Sequence, residues 1–499
     1  MKKLFIICSL FFFAENSFCQ QNKFLCPCNK IGLNATWADS SKISCYLIPV
    51  EKDNAKSSVE KFYLAAVVVP PLTTTNEAPL LYLHGGPGIA TVENIPKYLK
   101  SKTWKTLREK HSLVFFDYRG TGFSEPALCP EMKRSLTVFS RKNRDAKQKK
   151  EYEVEQYKNC REELLKKGID VSSFSAAQLA ADAEAIRKSL QIADWNVYGV
   201  SFGTTVALNM VRDHSKHINA VILDSPFPPN APWADFVRPF DTCFQVLEKN
   251  IAADPIAAAA FPSVRNDFVK AIKRLNEVPV KIKYGKYNLR YRFTGDDFAR
   301  GIWSAMLSPK KIPMVPIAIK EIANGNDAIL SKWAGVFSQP NSYGKFSVTQ
   351  SRAIMCYEGR PRSVEDSEAS LRQQYPDFVS FISAFDEAIC NVWRPDIATE
   401  KTFEPVVSNV PVLILSGEYD PVCPPMFGDI TAATLSKSVH LVVPAASHAA
   451  IHADDCIRNI AVKFLSNPSE KIDQKCVSER MKINFVTADL EKALNGFKK

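Results

Sequence analysis

The 499-residue chain is 46% hydrophobic and 23% charged, a balance that excludes wholesale disorder and supports a sizeable buried core. Its net charge of +11 is not carried by basic stretches interleaved with aromatics, so no nucleic-acid partner is expected. Past the first residues nothing approaches 18 uninterrupted apolar positions, so no stable membrane span is expected either.

The N-terminus, MKKLFIICSLFFFAENSFCQQ, places Lys2 and Lys3 before an apolar run from Leu4 to Phe13 and then a polar patch with small residues. That is the order of a secretory signal peptide, with an apolar run too short to span a bilayer. It predicts residues 1–19 as a leader and export to a periplasmic or extracellular location. Lipid anchoring at Cys19 is the weaker alternative, because a leucine and a small residue normally precede a lipidated cysteine. Thirteen cysteines fit an oxidising compartment. Without Cys8 and Cys19 an odd number remains, so at least one thiol stays free or pairs between chains. Cys26-x-Cys28 has no matching Cys/His cluster downstream, which favours a disulfide over a metal site.

Ile43 to Val50 and Phe62 to Pro70 read as strands with partly alternating faces. Leu80 to Gly86 and Ser112 to Gly120 are continuous apolar runs ending in glycine, as strands buried on both faces do. Much of the basic excess lies between Lys133 and Lys167, where glutamates at helical spacing predict a solvated charged helix. Ala176 to Leu190 has the period of an amphipathic helix. Trp195 to Val200 is β-type, Thr204 to His214 is helical, and Ile218 to Pro226 is again a buried strand. From Pro228 to Val406 helical periodicity with prolines and aromatics replaces this alternation. Strand character returns at Val410 to Asp420 and Val439 to Ala449, and Cys456 to Leu465 closes as a helix. The pattern is one alternating α/β domain in two parts, 20–227 and 407–499, interrupted by a mainly helical insertion at 228–406.

Gly199-Val200-Ser201-Phe202-Gly203 fits G-x-S-x-G at a strand-to-helix junction, the context in which such a serine is a nucleophile. An attacking serine needs a base, a group that orients the base, and donors for the oxyanion. His448 follows the last strand in PAASHAA, and Asp420 follows the strand before it in LSGEYDP. The order Ser201, Asp420, His448 is that of an α/β-hydrolase triad. His452 is the alternative base and Asp224, at the end of Ile218 to Pro226, the alternative acid. The glycines of His84-Gly85-Gly86-Pro87-Gly88 let backbone approach a substrate, so the oxyanion donors are assigned to the amides of Gly86 and Phe202. His84 is expected to orient this loop.

HGGPG at His84 to Gly88, followed by Asp117-Tyr118-Arg119-Gly120-Thr121-Gly122-Phe123-Ser124, resembles the proline iminopeptidase branch of the α/β-hydrolases. Within that branch the chain is most similar to the secreted tripeptidyl-aminopeptidase-like proteins, through VPVLILSGEYDPVCPP, PAASHA and the terminal Cys456 and Cys476. The resemblance implies an α/β-hydrolase fold, a mostly parallel sheet flanked by helices, with residues 228–406 as a helical cap. It implies cleavage from free peptide N-termini, with no metal or organic cofactor. Cap carboxylates in such enzymes pair with the substrate ammonium, which makes Glu358 the candidate here and Asp296 and Asp297 the alternatives. The resemblance and sequence proximity together pair Cys129 with Cys160, Cys356 with Cys390, and Cys456 with Cys476. Cys45 is left to Cys26 or Cys28, and no partner follows for Cys243 or Cys423. One departure stands out: Ser447 precedes the histidine where the family usually has glycine. A carboxylesterase with the same triad, a catalytically dead binding protein and an acyl transferase are the rival readings.

Overall fold

The computed structural model describes residues 22–496 apart from 54–55, 141–145, 233–234, 285–288, 331, 333–344, 360–365 and 377–385. The expected leader, residues 1–19, lies outside the described residues.

The described residues form ten strands: β1 (Ser44–Asp53), β2 (Lys56–Val69), β3 (Leu80–Leu83), β4 (Leu113–Phe116), β5 (Trp195–Val200), β6 (Ile218–Asp224), β7 (Val280–Tyr284), β8 (Leu289–Phe293), β9 (Val412–Gly417) and β10 (Ser438–Val443). Eight of them form one sheet in the order β1-β2-β4-β3-β5-β6-β9-β10. The β1–β2 and β2–β4 pairs are antiparallel and every pair from β4 through β10 is parallel. Every residue of β3, β4, β5 and β9 is buried, which is why these strands read as unbroken apolar runs: parallel strands are covered by crossover helices on both faces.

The helices that matter below are α1 (Lys102–Arg108), α2 (Ala146–Lys166), α3 (Ala176–Ser189), α4 (Phe202–His214), α5 (Val237–Ala252), α6 (Val264–Glu277), α7 (Gly295–Met306), α8 (Val315–Ala323), α9 (Val348–Glu358), α10 (Glu387–Trp393) and α11 (Asp455–Ser466). On one face of the sheet, Leu179, Ala183 and Ile186 of α3 and Val206 and Met210 of α4 share a core with Leu81, Val197 and Ile414. On the other, Trp104 and Leu107 of α1 and Ile457, Ala461 and Phe464 of α11 pack with Phe115, Tyr198 and Leu441. This is the mostly parallel, helix-flanked sheet expected from the alternating pattern.

Between β6 and β9 the packing divides. Phe240, Phe244, Phe268, Phe298 and Ile319 of α5 to α8 build a core of their own. Ala353 and Ile354 of α9 and Ile389 and Trp393 of α10 instead join the core beneath the sheet. In the charged run expected as a solvated helix, the described residues are helical over Met132–Ser140 and α2. One stripe of α2 is buried, with Tyr157, Cys160 and Leu164 at 1–4% exposure, because residues spaced three and four apart share a face that meets Trp393.

Disulfides join Cys28–Cys45, Cys129–Cys160, Cys356–Cys390 and Cys456–Cys476. The choice left open for Cys45 thus falls on Cys28, and Cys26, Cys243 and Cys423 remain thiols.

Candidate active site

Ser201 stands between β5 and α4 with φ 55° and ψ −128°, a conformation that costs a β-carbon-bearing residue strain and is kept where the surroundings enforce it. The flanking glycines make the turn sterically feasible. A Cβ on Gly203 would lie 2.1 Å from the Leu83 carbonyl oxygen, and one on Gly199 2.6 Å from that of Gly203. The Ser201 amide donates to the Asp224 carbonyl at 3.0 Å, and the Ser201 carbonyl accepts from the Thr204 amide at 2.8 Å and hydroxyl at 2.6 Å. Helix α4 begins at Phe202, two residues earlier than its periodicity suggested, so the serine is the last residue before the helix.

The loop after β3 lies directly against the serine: a Cβ on Gly85 would sit 2.9 Å from the Ser201 Cβ and 3.4 Å from its Oγ. Among the described residues the amides of Gly86 and Phe202 have no acceptor. Two unspent donors on either side of a serine are an arrangement that can hold an oxyanion. His84 bonds through Nδ1 to the Gly85 carbonyl at 3.1 Å, and burial holds its imidazole down at about 4. It is a neutral member of the loop.

The DYRGTGFS segment acquires a physical role here. Buried Asp117 accepts from the amides of Thr91 at 2.6 Å, Val92 at 2.9 Å and Phe123 at 2.9 Å, tying the loop after β3 to the loop after β4. Gly122, at φ 53°, allows this, since a Cβ there would fall 2.0 Å from the Asp117 carboxylate. Arg119 is wholly buried and forks onto Asp182 at 2.7 and 2.5 Å, with its other donors on the carbonyls of Glu51, Lys52 and Ser173. Its charge is paired and its donors used, the condition for burying a guanidinium.

His448 Nδ1 lies 2.8 Å from Asp420 Oδ2, and the other carboxylate oxygen accepts from the amides of Val422 and Cys423, both at 2.9 Å. Burial works against the imidazolium, but the Asp420 carboxylate, joined by Asp224, outweighs it and holds His448 above its ordinary value. Cys423 lies against this pair. Its Sγ is within 4.8 Å of the ligating atoms of Asp420 and His448, and the Ser201 side chain is close enough to oppose the rise that burial imposes on the thiol.

The alternatives have other work. His452 faces away, with Nδ1 2.8 Å from the Thr103 hydroxyl. Asp224 accepts from the amides of Ala450 at 2.7 Å and Ile451 at 3.2 Å and from the Tyr198 hydroxyl at 3.2 Å, and burial raises its carboxyl to about 7. With Ser225, whose hydroxyl accepts from the Ala449 amide at 2.9 Å, it clamps the turn after His448, where Ala449 holds a left-handed φ of 63°. Asp297 closes a capping box with Thr294 at the start of α7, and Asp296 meets Asn276. The Ser447 hydroxyl donates to the carbonyls of Met306 and Tyr419, so the residue that departs from glycine fastens the histidine loop to α7 and to the aspartate loop.

Glu358 ends α9 and lines a cavity with Phe202, Asn209, Phe227, Tyr357 and Phe403. Its Oε1 accepts from the amide of Ala176, the first residue of α3, at 2.6 Å. Burial pushes its carboxyl up to about 7, against the pull of that amide and of Arg394 and Arg212. The sequence assigns Cys423 and Ser225 no role and offers Asp224 only as an alternative acid. The available signals were the spacing of Cys423 three past Asp420 and the position of Asp224 at a strand end beside the site.

The sequence model of the family described as alpha/beta hydrolase fold matches residues 78–455. Serine protease Hip1 of Mycobacterium tuberculosis is 23% identical over 449 residues, 84% of this chain and 84% of that protein. Carboxylesterase B of the same organism is 23% identical over 415 residues, 78% of each chain. Among solved structures, the proline iminopeptidase of Mycobacterium smegmatis covers 85% of this chain and 98% of that one, at 15% identity and a TM-score of 0.38.

Proposed function

The chain belongs to the alpha/beta hydrolase fold family, and from that premise we propose that it is an exported serine aminopeptidase, releasing one or a few residues from free peptide N-termini. Ser201 Oγ attacks the scissile carbonyl while His448 takes its proton, and the imidazolium then gives that proton to the leaving amine. Asp420 orients the imidazole, the amides of Gly86 and Phe202 hold the oxyanion, and water attacks the acyl-enzyme to free the serine. The observation that carries this reading is the His448–Asp420 pair at 2.8 Å, together with a strained Ser201 flanked by two unspent amides.

The peptide side of the proposal rests on Glu358. A carboxylate held in a mostly apolar cavity next to Phe202 would favour a cationic end group over a neutral one. Four disulfides and the leader-like N-terminus support export. A carboxylesterase is the second reading, favoured by the aromatic lining of the same cavity and by a relative of that name with equal identity. The test compares aminoacyl and tripeptidyl anilides, the same anilides with blocked amines, and short-chain nitrophenyl esters. The proposal expects blocking to abolish anilide turnover; ester turnover alone, indifferent to the amine, overturns it in favour of the esterase.

A further inference from the structure

We propose that Cys423, His448 and Asp420 also form a binding site for a thiophilic divalent cation of the zinc type, whose occupancy switches the hydrolase off. The hydrolytic scheme assigns the Cys423 thiol no step, yet the fold places it at the centre of the site. The turn after Asp420, closed by the amides of Val422 and Cys423 on the carboxylate, brings the sulfur back over that carboxylate. The ligating atoms of all three residues lie within 4.8 Å of one another, the one such group of three among the described residues.

The donor set selects the ion. One sulfur, one imidazole nitrogen and one carboxylate oxygen suit zinc, which takes such ligands tetrahedrally and completes its shell with water. Magnesium and calcium need six or more oxygens and are excluded. In a tetrahedral zinc site the ligand atoms stand about 3.3–3.6 Å apart, so side-chain rotations of about an ångström close the cluster. Cys423 and Asp420 are buried, whereas the His448 side chain is 19% exposed and offers the way in. On binding, the Cys423 S–H bond breaks, a sulfur–metal bond forms and the proton leaves to solvent.

Either ring nitrogen gives the same outcome. A cation on Nε2 occupies the lone pair that would take the Ser201 proton. A cation on Nδ1 displaces the hydrogen bond to Asp420 and leaves the remaining ring proton on Nε2, which then accepts nothing. The binding rests on the geometry of three side chains; only the loss of turnover rests on the triad reading.

The test titrates the metal-free full chain with Co²⁺, whose coordination by a thiolate gives a near-ultraviolet charge-transfer band. One equivalent should develop the band in the wild-type protein and in Ser201→Ala, and Cys423→Ser should lose it. His448→Gln guards against a misfolded cysteine variant, because it keeps the thiol and should still weaken cobalt binding at least about tenfold, the loss seen even for outer partners of metal ligands. Zn²⁺ should displace cobalt and inhibit nitrophenyl ester turnover reversibly to EDTA. Cys423→Ser, judged against its own metal-free rate, should need at least about tenfold more zinc. Absence of the band, its persistence in Cys423→Ser, or equal zinc sensitivity of the two proteins overturns the site. A band in a protein that turns over no substrate would uphold the metal site and count against the hydrolytic reading.

Discussion

Replacing Asp420 with asparagine should cripple catalysis without unfolding the protein, and the hydrogen bonds around that carboxylate set the size of the effect. One oxygen accepts from two backbone amides and the other from His448 Nδ1. Asparagine has a single acceptor. If its oxygen stays on the amides, its NH₂ group faces Nδ1, the ring proton moves to Nε2, and His448 cannot take the Ser201 proton. If it flips, two buried N–H donors lose their partner at about 1–3 kcal/mol each, or about 2–6 kcal/mol together. At 1.36 kcal/mol per tenfold, the competent orientation is disfavoured by about 30-fold to about 3 × 10⁴-fold. The variant's kcat should fall within that range while KM, set by groups that touch the substrate, changes little. The assay is steady-state turnover across pH. In the wild-type protein activity should rise as pH passes upward through the raised value of His448, because a histidine base must be neutral to take a proton. Without the carboxylate that inflection should move down. A variant within threefold of wild-type kcat would refute the reasoning.

Other perturbations test the support around the triad. A Cβ on Gly417 would stand 2.1 Å from the Ser447 carbonyl oxygen, so Gly417→Ala must displace the loop that carries His448; urea unfolding should show a loss of about 1–3 kcal/mol, and unchanged stability and kcat would contradict the packing. Asp224→Asn leaves one acceptor for amides that now use separate oxygens, and the loosened loop should lower kcat about 10- to 100-fold with KM unmoved. Glu358→Gln keeps an acceptor for the Ala176 amide but removes the charge, so KM for free-amine anilides should rise about 10- to 100-fold while blocked substrates and esters are unaffected. In the wild-type protein the preference for free over blocked amines should weaken as pH falls through about 7, where Glu358 takes up a proton; a pH-independent preference would remove Glu358 from recognition.

How much of this was legible beforehand follows from how local each signal is. The buried strands announced themselves because a strand covered on both faces must be apolar throughout, and β5 with the glycines at 199 and 203 gave Ser201 its context. His448 and Asp420 were found by following strand ends, a rule of chain order. Contacts between distant segments left little trace. Nothing near Asp224 in sequence says that it holds the amides of Ala450 and Ile451. Nothing in DYRGTGFS reveals that Asp117 reaches back to Thr91 or that Arg119 pairs with Asp182. The stripe of Tyr157, Cys160 and Leu164 was hidden by the dense charge around it. Cys423 was invisible for another reason: a cysteine without a disulfide partner gains meaning only when its neighbours in space are known.

The central claim is that Ser201 is a nucleophile activated by His448. Intact-mass analysis after exposure to a fluorophosphonate tests it without any assumption about substrate. The account predicts one covalent adduct, mapped by peptide sequencing to Ser201, absent in Ser201→Ala and formed much more slowly in Asp420→Asn. A folded wild-type chain that takes up no label, or carries it on another residue, would contradict it.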